Sequence, residues 1–385
     1  MVHYDTAYRD QESYERIFKI PIQVEDNVTV NFRENPLLSG DKQTSVPFGQ
    51  QSHESQQMMR RRQKGREDFM CNLIKEHNNG DGFMISIIML TYNREILVSR
   101  AIESILTQTY RDFEYVIVDN GSTDRSGQIA DHYAAQDSRI RVIHRERGNI
   151  GSGRNTGLDA TRGEYIAFID DDDLAEPDFL EFLLNLAIEN EADVAICGAA
   201  DKAFDEKKVM TAEEALIELM WRKKYNMAFP TKLFTRKLAA GLRFPERGAY
   251  DDIALMYRLL AEANRVAYHG LPKYTFYRHE GNNSAWTTHH ELLDAVTLDE
   301  YLHAYRVRTE WLSGKFPSSA AAFRYFEWSF MISMVEKIHR LKLNGCERQL
   351  AAMTKELTAH QTEFMNAPEI QNFEKEWMKQ YVAKK

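Results

Sequence analysis

The chain has 385 residues, 43% of them hydrophobic, and a net charge of -9. That length accommodates about two or three domains with a sizeable core, and the acidic balance argues against general nucleic-acid binding, which works by neutralising phosphates. The 3 cysteines, Cys71, Cys197 and Cys346, show no paired spacing, so neither a disulfide framework nor a zinc motif is expected.

Residues 1–83 read as a polar N-terminal extension. It holds a hairpin-like patch, Ile20 to Val24 and Val28 to Phe32, and a basic cluster of Arg60, Arg61, Arg62, Lys64 and Arg66. Its start is polar, so no secretory signal is expected, and no stretch in the chain reaches about 18 apolar residues. A cytoplasmic setting fits, with peripheral contact at the inner face of a membrane left open.

From residue 84 to about 284 strands and helices alternate. Ile85 to Leu90 is apolar except for Ser86, as in a strand buried on both faces. A helix over 96–106 follows, with Leu97, Ala101 and Ile105 on one face. Tyr115 to Val118, Ile140 to Ile143, Tyr165 to Ile169 and Val194 to Cys197 are further strands. Helices are expected over Ile129 to Ala135, Asn155 to Ala160 and Phe179 to Ile188. Thr211 and Glu214 have the spacing of a capping box. This alternation predicts an α/β fold, a mainly parallel sheet with helices on both faces. Residues 285–385 read as a helical region. There Ser318 is placed to cap a long helix that carries Phe323, Tyr325, Phe326, Trp328, Phe330, Met331 and Met334 and closes at Asn344-Gly345.

Ligands of such sheets bind at the carboxyl ends of the strands. Four loops fall there: Thr91-Tyr92-Asn93-Arg94, then Asp119-Asn120-Gly121-Ser122-Thr123-Asp124, then the Gly-rich run Gly148 to Gly157, then Asp170-Asp171-Asp172-Asp173. Four consecutive carboxylates repel one another, and a hard cation shared with substrate phosphates would relieve them. The alternative is an acidic lead-in to the helix opening near Pro177. In an extended chain Asp170 and Asp172 fall on one side, suited to joint work on one cation. Asp119 and Asp124 also fit simple turn chemistry, and Asp251 and Asp252 fit the cap of a helix over Ile253 to Leu260.

In order and spacing, these motifs resemble the nucleotide-sugar domain of family 2 glycosyltransferases with the GT-A fold. Leu242-Arg243-Phe244-Pro245-Glu246 ahead of Asp251-Asp252, and Tyr277-Arg278 ahead of Ser284, extend the resemblance over about residues 84–290. It implies that Thr91, Tyr92 and Asn93 line a nucleotide pocket, that Asp119, Asn120 and Arg154 meet the base, and that Asp171 reaches the ribose. It further implies that Arg278 meets the diphosphate, and that Asp170 and Asp172 hold Mn²⁺ or Mg²⁺. Asp252 would be the general base of an inverting transfer from a nucleotide-diphospho-sugar, with UDP-sugar first among donors, to a glycan, lipid-linked or protein acceptor. Asn120 stands where the family usually has Asp, and Asp251 where it has Glu. Bacterial surface polysaccharide or cell-wall glycan assembly is the expected setting. His279, Tyr277 and Trp286 are weighed as site residues or packing. Homodimerisation through the C-terminal helices stays open. The competing class is a non-catalytic nucleotide-sugar-binding protein, against which Asp170, Asp172 and Asp252 count. A nucleotidyltransferase would want a basic Gly-rich phosphate loop early in the domain, and none is present.

Overall fold

The computed structural model describes residues 83–201, 204–246, 251–279, 282 and 289–383. The N-terminal hairpin and basic cluster, Ser284 and Trp286 lie outside the described residues, as does the side chain of Asp251.

Among the described residues nine strands form one sheet: β1 (Ile85–Thr91), β2 (Phe113–Asp119), β3 (Ile140–His144), β4 (Tyr165–Asp170), β5 (Leu174–Ala175), β6 (Val194–Ala199), β7 (Lys207–Met210), β8 (Lys232–Thr235) and β9 (Val266–Thr275). The order is β3-β2-β1-β4-β8-β6-β9-β5, with β7 also on β9. Strands β1, β2, β3, β4, β6 and β9 run one way, and β5, β7 and β8 the other. The mainly parallel α/β sheet expected from the sequence is present. The strands read from the apolar runs did not include β5, β7, β9 or β8, the last wedged antiparallel between β4 and β6. It is only four residues long and begins at Lys232, which is fully buried and donates to the Ala228 carbonyl at 2.6 Å.

Alternation along the strands sends neighbouring side chains into two cores. Ile87, Met89, Tyr115, Ile117, Ala167 and Ile169 meet α1 (Val98–Leu106), α2 (Ser126–Ala134) and α4 (Phe179–Glu189) on one face. Ile88, Ile166 and Phe168 meet α5 (Ala212–Trp221), the short α6 (Arg236–Ala239) and α7 (Asp251–Ala261) on the other. Helix α3 (Ile150–Ala160) also lies on this second face.

The capping box is there in full: Thr211 Oγ1 accepts from Glu214 N at 3.3 Å, and the Glu214 carboxylate accepts from Thr211 N at 2.9 Å. The cap assigned to Ser318 is not. The long helix α9 (Ala320–Leu341) opens after Ser319, and the Ser318 and Ser319 hydroxyls both donate to Glu213 at 2.7 and 2.5 Å. The serines therefore tie the helical region to α5 instead of closing their own helix.

Helix α8 (Ala295–Lys315) packs on α7 and on α9. Helices α10 (Glu347–Ala359), α11 (Gln361–Met365) and α12 (Asn372–Trp377) follow. The aromatic and methionine residues of α9 are buried and share one core with the sheet face formed by Ile88, Ile166 and Phe168. Packing within this chain is sufficient to explain them. No described helix is long and apolar enough to cross a membrane.

Candidate active site

Strand register builds the rim. Thr91 pairs with Asp119, Leu90 with Asp170, and Asp119 with His144, so the ends of four strands present their polar residues in one row. Thr91 is fully buried and Asn120 and Asp119 nearly so. Asn93 adopts φ 51°, a left-handed conformation that Asn tolerates better than most residues. Its side-chain oxygen accepts from Thr123 N at 2.8 Å, and its own N–H donates to Ser122 Oγ at 3.1 Å, which fastens the β1 loop to the β2 loop. The Tyr92 ring lies under the Arg147 guanidinium, 3.1 Å from carbon to centroid.

The Gly-rich run is not the open loop expected from its composition. Helix α3 already begins at Ile150, with the Asn149 side chain capping it by accepting from Ser152 N at 2.8 Å. The glycines are there for contact. A Cβ at Gly153 would come 2.3 Å from Leu90 Cδ1, and one at Gly151 would come 2.1 Å from the Pro245 carbonyl oxygen. Their absence of side chain lets α3 lie directly against β1 and the 242–246 segment, and that close approach carries Arg154 into the site.

Arg154 is buried and bridges two acids. Its Nη1 donates to Asp252 Oδ1 at 2.5 Å, and its Nη2 reaches Asp170 Oδ1 at 3.4 Å. The rings of Phe168, Phe229 and Phe244 surround the guanidinium at 5.5 to 5.9 Å. Arg154, expected from the resemblance to meet the nucleotide base, is thus set between these two carboxylates. Asn120, also read as a base contact, spends its amide on the backbone of Gly148, donating to O at 2.9 Å and accepting from N at 3.2 Å. Arg278 stands with Asp201 at 3.3 Å and is not drawn in among the acids.

The acidic tract folds back on itself. Asp171 accepts from Tyr92 N at 3.2 Å and lies 3.7 Å from Arg94. Asp172 Oδ2 meets His279 Nε2 at 2.9 Å and Asn282 Nδ2 at 3.1 Å. Asp173 accepts from Tyr274 Oη at 2.7 Å and from Tyr277 N at 2.8 Å, and so anchors the tract to β9. Burial, and then the charges of Asp170 and Asp172, push the Asp173 carboxyl well above the usual range. Burial, and then the neighbouring Asp172, raise Asp171 to about 7.

Among the described residues no three His, Cys, Asp or Glu side chains converge on a ready-made metal site. The donor set still fits Mg²⁺ or Mn²⁺, which commonly take one or two carboxylates and complete their shell with water and substrate phosphates. Asp170 and Asp172 would supply those carboxylates, with His279 and Asn282 orienting Asp172 from behind, as second partners of metal ligands do.

A pH dependence follows from the raised pKa values. Between the ordinary carboxylate value and about 7 the folded state holds a proton on Asp171 that the unfolded chain has lost. Stability of the metal-free protein should therefore fall as pH rises through that window. Mn²⁺ should offset the fall, because a cation replaces the proton. Thermal melting from pH 5 to 8 with and without Mn²⁺ checks this; a metal-free melting temperature that climbs across the window would contradict it.

The sequence reading left His144 unmentioned, counted Asp173 in the acidic tract without a role of its own, and favoured a surface or core role for His279. All three act through partners 25 or more residues away, so no local pattern reveals those partners.

Similarity to known proteins is found at the level of family and fold. The family model "Glycosyl transferase family 2" matches residues 86–258. The glycosyltransferase GlyG of Streptococcus pneumoniae serotype 4 (strain ATCC BAA-334 / TIGR4) is 32% identical over 219 residues, 52% of this chain and 72% of GlyG. EpsH of Bacillus subtilis (strain 168) is 35% identical over 210 residues, which span 51% of this chain and 61% of that protein. EpsJ of the same strain is 42% identical over 124 residues, 32% of this chain and only 36% of that relative. The chain thus matches less than two thirds of the length of either Bacillus protein. Among solved structures, S. aureus TarS 1-349 in complex with UDP-GlcNAc shares the fold, with a TM-score of 0.58 and 20% identity over 71% of this chain and 80% of that one. Family model, relatives and fold agree, and the chain belongs to glycosyl transferase family 2.

Proposed function

We propose that this protein moves a sugar from a nucleotide-diphospho-sugar to an acceptor hydroxyl, with inversion and with Mn²⁺ or Mg²⁺ bound. The observation that carries the proposal is the Arg154 bridge, which joins Asp170 of the cation motif to Asp252, the base, through one guanidinium. The cation, when bound, would neutralise charge growing on the departing diphosphate. Asp170 and Asp172 would hold it. Thr91, Tyr92, Asn93 and Asp119 line the nucleoside, with Asn120 bracing the loop beneath and Asp171 beside the ribose. Arg278 meets the diphosphate from the rim. Asp252 takes the proton of the acceptor hydroxyl as that oxygen attacks opposite the leaving group, and a single in-line displacement inverts the anomeric centre.

A UDP-sugar is the first donor to try, since the solved TarS fragment holds UDP-GlcNAc. A bacterial surface polysaccharide or cell-wall glycan is the acceptor class we favour, with a lipid-linked or protein acceptor as the variant to test beside it. The N-terminal residues 1–83 and the helical region from 285 flank this transfer domain in our reading.

Calorimetric titration of UDP in the presence of Mn²⁺ tests the cation's place. Asp172→Asn should abolish the Mn²⁺-dependent part of the affinity. His279→Ala should weaken it about 10–100-fold, the usual effect of losing a partner behind a metal ligand. UDP affinity that is unchanged in Asp172→Asn and indifferent to Mn²⁺ would refute the assignment.

A further inference from the structure

We propose that His144 is a positioning residue for Asp119, holding that carboxylate in the orientation in which it meets the nucleoside. The inference rests on the reading of Asp119 as a nucleoside ligand. Parallel pairing of β2 with β3 sets Asp119 directly beside His144. His144 Nδ1 lies 3.0 Å from Asp119 Oδ2, while Asp119 Oδ1 accepts from Ser122 N at 3.0 Å. Both oxygens of Asp119 are thereby fixed. Helix α2 is shaped around the pair: a Cβ at Gly127 would come 2.5 Å from Asp119 Oδ2 and 3.2 Å from His144 Cε1.

The far side of the ring is held as well. His144 Nε2 lies 3.0 and 3.1 Å from the two oxygens of Asp131 on α2. With a carboxylate at each nitrogen, both nitrogens must donate, and only the imidazolium does that. Hydrogen bonds to Asp119 and then to Asp131 accordingly raise the His144 pKa above its ordinary value. These two acids are the charged groups that act on the ring; Arg145, next along the chain, turns its guanidinium to Ser152 Oγ at 2.9 Å. When His144 loses its proton, one N–H remains for two carboxylates. Asp131 then competes with Asp119 for it, and the nucleoside ligand loosens. Below that pKa the positioning is complete, and above it the positioning fades.

The test titrates UDP against the full chain with Mn²⁺ by calorimetry from pH 6 to 9. His144→Ala should weaken UDP binding about tenfold at the acid end, the usual worth of a hydrogen bond to a charged group. His144→Gln, whose amide can still donate to Asp119, should recover most of that loss and should not show the wild-type decline at higher pH. Asp131→Asn should move the wild-type decline to lower pH. Wild-type affinity in His144→Ala, alongside a loss in Asp119→Ala, would overturn the inference while leaving the nucleoside role of Asp119 standing. Undiminished UDP binding in Asp119→Ala would remove that role and the inference with it. If His144→Ala fails to fold, the glutamine variant decides: a decline matching that of the wild type overturns the proposal.

Discussion

Asp252→Asn is expected to lower the turnover of sugar transfer by about 10²–10⁴-fold, the range associated with a general base, while UDP binding stays close to that of the wild type. The side chain of Asp252 is almost wholly buried and is paired with Arg154. Asparagine keeps the shape and still offers an oxygen to Arg154, so the pocket should survive. It cannot take a proton from an acceptor hydroxyl. Loss of kcat without loss of nucleotide affinity is the signature of an interaction used only in the transition state. Transfer to a soluble acceptor, measured alongside calorimetric UDP titration, separates the two. Equal turnover in Asp252→Asn would exclude it as the base.

Arg154→Met should be costly in a different currency, the stability of the fold. The substitution removes the guanidinium from between Asp170 and Asp252, whose side chains are 16% and 1% exposed. Taking away one member of a buried ion pair costs about 3–5 kcal/mol, because the remaining charge stays desolvated. The same reasoning predicts a rescue. In the double variant Arg154→Met with Asp252→Asn no charge is stranded at Asp252, and much of the loss should return through a favourable coupling between the sites. Methionine also suits the aromatic enclosure of Phe168, Phe229 and Phe244. Urea unfolding followed by tryptophan fluorescence measures all three variants. A cost below about 1 kcal/mol for Arg154→Met, or strict additivity in the double variant, would contradict the account.

Much of the architecture could be read from the sequence because local rules and tertiary structure agree in this part of the chain. Ile85 to Leu90 is apolar without a break apart from Ser86, and Ser86 can be buried there because its hydroxyl donates to Glu114 at 2.6 Å and accepts from Gly163 N at 2.8 Å. The acids at the strand ends were recognisable as a group, since a parallel sheet must bring the ends of neighbouring strands together. What escaped the sequence depends on register and on crossings between distant segments. The glycines of α3 look like loop composition until Leu90 and Pro245 are seen to occupy the space their side chains would need. His144 follows the strand read over Ile140 to Ile143, and only the fold brings Asp119 and Asp131 to its ring. Arg154 reads from the resemblance as a nucleotide contact, and nothing in the sequence puts Asp252, 98 residues away, against it.

The central claim is that a divalent ion gripped at Asp170 and Asp172 enables a nucleotide-activated sugar to part from its diphosphate. Its most direct test is to incubate the protein with a panel of UDP-, GDP- and dTDP-sugars, with Mn²⁺ and with EDTA, and to measure release of the nucleoside diphosphate. Release from at least one donor that depends on Mn²⁺ and vanishes in Asp172→Asn is the predicted result. No release or binding of any donor under either condition, or equal release in EDTA, would contradict it.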